Sequence, residues 1–180
     1  MSQLAHLQLL ARYNAWMNDK LYTAASLLSA QALNEDRGAF FPSILATLNH
    51  IAVGDIIWLK RFAEHPACAE LRKAMCDLQQ PTALDQLLFD TLAPLQALRS
   101  RLDGHISDWL AALTEQDLAH GLAYRNMKGV PAHRPYASLM LHFFNHQTHH
   151  RGQASTLLYQ AGQDVGVTDL LALIPDLDPR

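Results

Sequence analysis

The stretch from residue 43 to residue 64 constrains this chain most, because a helix drawn through it is apolar on nearly every side. Ile44, Leu45, Leu48, Ile51, Val53, Ile56, Ile57, Leu59 and Phe62 point in all directions around its axis. Such a helix has no face to give to water, so it belongs inside a bundle of other helices. It must end before Pro66, which cannot continue it. His50 interrupts this most apolar segment of the chain.

The remaining sequence supplies that helix with neighbours. Residues 3–29 return Leu4, Leu7, Leu10, Met17, Leu21 and Leu28 at helical spacing, with few β-branched residues among them. Residues 34–42, with Asp36, Gly38 and Pro42, read as a connection, and residues 65–82 as a long surface connection closed by Gln80 and Pro81. A third long helix spans about 84–113, where Pro94 marks either a kink or a later start. Between residues 120 and 136 the periodicity changes, and Lys128, Gly129, Pro131 and Pro135 predict a short β ribbon turning near Gly129. A last long helix covers about 136–161 and stops at Gly162, and the tail 163–180 carries one turn around 170–173. The expected class is therefore all-α, with a short β ribbon between the third and fourth long helices. A length of 180 residues, 49% of them apolar, suits a single domain over residues 1–180.

Charge and patterning exclude several functions. The net charge is −3 and Lys and Arg form no dense run, which argues against a nucleic-acid partner. No window approaches the eighteen or so unbroken apolar residues of a membrane span, so no membrane association is expected. Arg12, Asp19 and Lys20 break up the N-terminal region, which lacks the order of a signal peptide. Cys68 and Cys76 form no CxxC pattern, and two reduced thiols point to the cytoplasm.

Of ten histidines, His142, His146, His149 and His150 cluster on the last helix. Residues four apart stand one above the other on a helix, so two imidazoles at HxxxH spacing reach one ion. Chance alone yields roughly 0.5 such pairs in a chain this rich in histidine, so the spacing is weak by itself. It also does not choose between 142/146 and 146/150. Two imidazoles leave a divalent ion under-coordinated, and His50 is the best partner from another helix. The small Ala46 and Gly54 lie one turn either side of His50 and leave room beside its ring, and Gly152 suggests a similar close approach on the last helix. The alternative for His50 is a core histidine with a hydrogen-bond partner. His6, His65, His105, His120 and His133 read as surface residues, and Trp16, Trp58 and Trp109 as core anchors. Tyr124 and Tyr136 either line a pocket near the ribbon or simply pack.

At these residues the chain resembles a known family. The run Asn145-His146-Gln147-Thr148-His149-His150-Arg151-Gly152-Gln153 resembles the last-helix signature of the DinB-like (DinB/YfiT-type) proteins. Leu48-Asn49-His50-Ile51 followed by Asp55 and Trp58-Leu59-Lys60-Arg61-Phe62 resembles its second helix. Tyr13-Asn14-Ala15-Trp16 and Asp36-Arg37-Gly38-Ala39-Phe40-Phe41 are similar to its earlier landmarks. The resemblance runs in order along essentially the whole chain. It implies an up-down-down-up four-helix bundle, frequently a homodimer, with one metal held by His50, His146 and His150. His142 and His149 then fall at non-ligand positions.

Three neutral imidazoles leave an open position on a divalent ion, the arrangement of a catalytic rather than a structural site. Zinc is the first expectation, and nickel, iron and copper also accept imidazole. The resemblance implies thiol-dependent transferases and isomerases, so a low-molecular-weight thiol is the expected cosubstrate of a small-molecule transferase or hydrolase. The rival is a non-catalytic helical or stress-associated protein with a structural metal. A DNA-associated role, suggested by the family's name, is opposed by the acidic charge. No catalytic base stands out. Asn14 and Asp55 read as structural hydrogen-bonding groups, and Arg151 as the partner of a carboxylate such as Asp55 or Asp36.

Overall fold

In the computed structural model, which describes residues 2–177, helix α1 spans Gln3–Ser26 and is capped by Ser2, whose hydroxyl accepts from the Ala5 N–H. It stops short of residue 29 because Ser29 caps a separate short helix, α2 (Ala30–Asn34). Ser43 then caps α3 (Ile44–Phe62), the apolar helix, whose last turn carries Lys60 and Arg61 at its negative end. A short α4 (Ala69–Ala74) precedes α5 (Leu92–Ala112), and α6 (Glu115–Leu118) opens with a capping box of Thr114 and Asp117. Strands β1 (Gly121–Arg125) and β2 (Pro131–Pro135) pair antiparallel with Ala123 opposite His133. The ribbon reverses at Asn126, whose side-chain oxygen accepts from Lys128 and Val130, and at Gly129, where φ is +76°. Helix α7 (Tyr136–Gln160) follows directly, ends ahead of Gly162 at φ +83°, and leads to a 3-10 turn at Leu170–Leu173. The expected tail runs on to residue 180, of which residues 178–180 lie outside the described residues.

The protein is thus mostly helical with one small antiparallel ribbon ahead of its last long helix. Helix α1 packs against α5 and α7, and α3 packs against the same two. Side chains such as Leu21, Leu48, Phe62, Leu102, Met140 and Phe143 fill the space between them. Among the described residues no helix is long and apolar enough to cross a membrane.

Several expectations need correction. The third long helix begins at Leu92, not near residue 84, so the later start is the right alternative for Pro94. Pro94 occupies the first turn, where a backbone N–H has no helical partner to lose. The connection over 65–82 is more than a surface loop: it contains α4 and buries Cys68, Leu71 and Met75. His65, expected at the surface, is 4% exposed and stacks on Tyr136 with ring centroids 4.4 Å apart. Tyr136 is a core residue whose hydroxyl accepts from the Trp109 indole N–H at 3.0 Å. Trp109 is buried, whereas Trp16 and Trp58 are only half-buried.

A buried polar network joins the four long helices. Asp103 on α5 accepts from Asn14 at 3.1 Å and Asn18 at 2.9 Å, both on α1. Arg99 pairs with Asp103 at 2.9 Å and with the fully buried Asp55 of α3. Arg151 on α7 closes the network through Asn14 and donates to Thr148 at 3.2 Å. Among the described residues no carboxylate pairs with Arg151: Asp55 is taken by Arg99, and Asp36 accepts from the Gly38 N–H at 2.9 Å.

Candidate metal centre

Helices α3 and α7 lie side by side, and their contact brings His50 against His146 and His150. One ligand atom from each of the three lies within 4.8 Å of the other two, and among the described residues this is the cluster fit to hold a metal ion. Ring centroids are 4.3 Å apart for His50 and His150, 4.4 Å for His146 and His150, and 5.1 Å for His50 and His146. His142 points away to pack on Trp58 at 5.0 Å, and the exposed His149 accepts from the Gln153 amide at 3.4 Å.

Hydrogen bonds fix which nitrogens face the centre. His50 Nδ1 donates to the Leu84 carbonyl at 2.7 Å, and that oxygen can only accept. His150 Nδ1 donates to the Gln153 side-chain oxygen at 2.7 Å. The Nε2 atoms of both rings turn toward the centre and stand 3.1 Å apart. An ion between them would be held by both nitrogens. A proton is the poorer candidate. Burial pushes His50 and His150 below their ordinary pKa of 6.5, against the opposing pull of the Leu84 carbonyl and the Gln153 amide. Burial, reinforced by the neighbouring imidazoles, takes His146 to about 3. Imidazole nitrogens around a tetrahedral ion sit roughly 3.4 Å apart, close to the His50–His150 spacing, and three imidazoles are a donor set that suits a divalent metal.

Glycine serves this centre in a way the sequence did not reveal. A Cβ at Gly54 would fall 2.6 Å from His146 Cε1, so the gap on α3 admits the imidazole of the opposite helix, not His50. A Cβ at Gly152 would meet nothing, and no close approach occurs there.

Asn49 is the residue sequence reasoning passed over. Fully buried beside His50, it accepts from the N–H groups of Leu88 and Phe89 at 2.8 and 3.1 Å and donates to the Phe89 carbonyl at 2.9 Å. It thereby pins the irregular segment between Leu84 and Phe89, which supplies the carbonyl on His50. The signal was available: Asn49, like His50, is polar in a helix apolar all round.

The three histidines form the floor of a cleft of about 640 Å³ walled by Phe40, Phe41, Leu84 and Leu87, with Asp85 at its edge. Phe41 stacks on His50 with centroids 3.9 Å apart. On the far side of Phe40 and Phe41 lies a more polar groove of about 530 Å³, bordered by Arg37, Thr47, His149, Gln153 and Thr156.

The chain is similar to known proteins along nearly its whole length. The sequence profile of the DinB family matches residues 1–176. The chain is also similar to Protein DinB of Bacillus subtilis (strain 168), at 25% identity over 160 residues, covering 89% of this chain and 88% of that protein. With the match extending over nearly every residue, the chain belongs to the DinB family.

Proposed function

We propose that the protein is a divalent-metal-dependent enzyme in which His50, His146 and His150 hold one ion, acting on a small molecule with a low-molecular-weight thiol as cosubstrate. The observation that carries this reading is the convergence of three imidazoles, two with Nε2 atoms 3.1 Å apart, on the floor of an apolar cleft. A bound ion, zinc by first preference, would supply Lewis acidity on its open side, favouring the deprotonated form of a thiol or water. The rest falls to the chain's own side chains. Phe40, Phe41, Leu84 and Leu87 receive an apolar substrate group and exclude water from it, which strengthens electrostatic interactions at the histidines. Leu84 and Gln153 hold the ligand rings in one tautomer. The polar groove beyond Phe41 suits the arm of a thiol cosubstrate. Transfer to an electrophile and hydrolysis both fit this arrangement.

The same reading takes the four long helices as an up-down-down-up bundle forming a single domain, working as a homodimer in the cytoplasm. Family membership supports the bundle and the dimer, and two unbonded cysteines support the compartment.

Elemental analysis of single variants tests the ligand set. His50→Ala, His146→Ala and His150→Ala should each lose most of the metal, while His142→Ala and His149→Ala retain it. Near-stoichiometric metal in all five would remove the assignment. A screen of thiols with labelled electrophiles and esters, with and without chelator, tests the enzyme reading. A large fall in Tm on chelation with no turnover of any of them would favour a structural metal instead.

A further inference from the structure

A second constellation sits eleven residues farther along α3 from His50, about 16 Å away by helical rise. There a groove of about 770 Å³ opens between the end of α3, the α4 segment and the β ribbon. Its lining includes four cations, Lys60, Arg61, Arg72 and Arg125, and one carboxylate, Glu64. In a chain of net charge −3 this is a local reversal of sign. Among the described residues none of the four cations forms an ion pair. Lys60 donates to the Met75 carbonyl at 2.9 Å and Arg125 to the Gly129 carbonyl at 2.8 Å, neutral acceptors that leave the charges uncompensated.

Arg61 is the most telling of the four. Its guanidinium lies 4.7 Å from the Trp58 ring and 5.1 Å from that of Tyr124. The other buried or half-buried arginines among the described residues, Arg37, Arg99 and Arg151, all have hydrogen-bond partners, whereas Arg61 has only rings. Ring contacts hold the guanidinium while leaving its N–H groups unfilled, the fork that matches carboxylate and phosphate oxygens. Burial pushes its pKa below the ordinary value, as it does for a charge without a counterion.

We propose that this groove binds a small organic molecule carrying two or more oxyanion charges, carboxylate or phosphate, with Arg61 as its main anchor and Arg125, Arg72 and Lys60 around it. The site is separate from the histidine cluster and stands whether or not the cluster holds a metal. It also carries its own reporter, since the exposed Cys76 thiol lines the groove while the other cysteine, Cys68, is buried.

Calorimetric titration of the full chain with pyrophosphate and with tricarballylate, and with acetate as the monovalent comparison, reads this directly. One saturable site is expected for at least one of the two multivalent anions, and the tighter of them separates phosphate from carboxylate recognition. Affinity should fall about tenfold in Arg61→Gln and about threefold in Arg125→Gln, be partly restored in Arg61→Lys, and weaken with added salt. Bound anion should slow alkylation of Cys76 by iodoacetamide severalfold. Absence of saturable binding with Kd below about 1 mM would overturn the proposal. So would binding unchanged in Arg61→Gln, or binding abolished in His146→Ala, which would place the anion at the histidines. Should Arg61→Gln fail to fold by circular dichroism, Arg125→Gln and thiol protection decide the matter.

Discussion

Gly54 shows how narrowly a single side chain sets the histidine cluster. Alanine there would gain about 1 kcal/mol of helix propensity, but its Cβ would displace the His146 ring. Gly54→Ala should therefore leave metal-free stability nearly unchanged while weakening metal binding about tenfold, measured by competition with a chromophoric chelator. The depressed pKa of His146 gives a second prediction. Its folded value is about 3 and its ordinary value 6.5, so between these the unfolded chain binds more protons than the native one. Stability of the metal-free protein should then fall as pH drops from about 6.5 toward 3, and this group contributes no slope above that window. Urea melts of wild type and His146→Ala at pH 7.5, 6 and 5 would check it, the variant showing the shallower dependence. The three histidines that the structure brings together are the ones the family resemblance implied, whereas spacing alone left 142/146 and 146/150 equivalent. Resolving that pair requires the level at which His50 meets α7, and this is a property of two helices in contact, not of either sequence.

Helix α3 was readable because nearly all of its faces are apolar, α1 because its leucines recur at helical spacing, and the end of α7 because Gly162 stops it. The misplaced start of α5 has a physical cause. Leu84, Leu87 and Leu88 continue the apolar period of the helix that follows, but this segment instead spends its backbone groups on Asn49 and His50. A tertiary demand overrode local propensity. Asn49→Leu should accordingly release the loop, leaving three backbone groups without their partner. We expect a loss of about 2–4 kcal/mol by chemical denaturation, together with weaker metal binding through His50. The region around α4 was misread for a similar reason: its few apolar residues are too short a run to show a period, yet Cys68, Leu71 and Met75 all reach the core.

At the scale of the molecule, the polar network of Asn14, Asn18, Asp55, Arg99, Asp103 and Arg151 fixes how the long helices sit against one another. Its contacts tie α3 to α5 through Asp55 and Arg99, α1 to α5 through Asn14, Asn18 and Asp103, and α7 to α1 through Arg151 and Asn14. Arg99→Met would strand Asp55 and Asp103 without their cation and should lower stability by about 3–5 kcal/mol in urea. Asp55→Leu combined with Arg99→Met should recover part of that loss. The asymmetry of the two outer acceptors then has a consequence for warming. His150 leans on Gln153 of its own helix, while His50 leans on a loop that one asparagine keeps in place. Loops open at lower free energy than helix interiors. On heating, the imidazole of α3 would lose its alignment first while the pair on α7 still stands, and any ion would depart from that side.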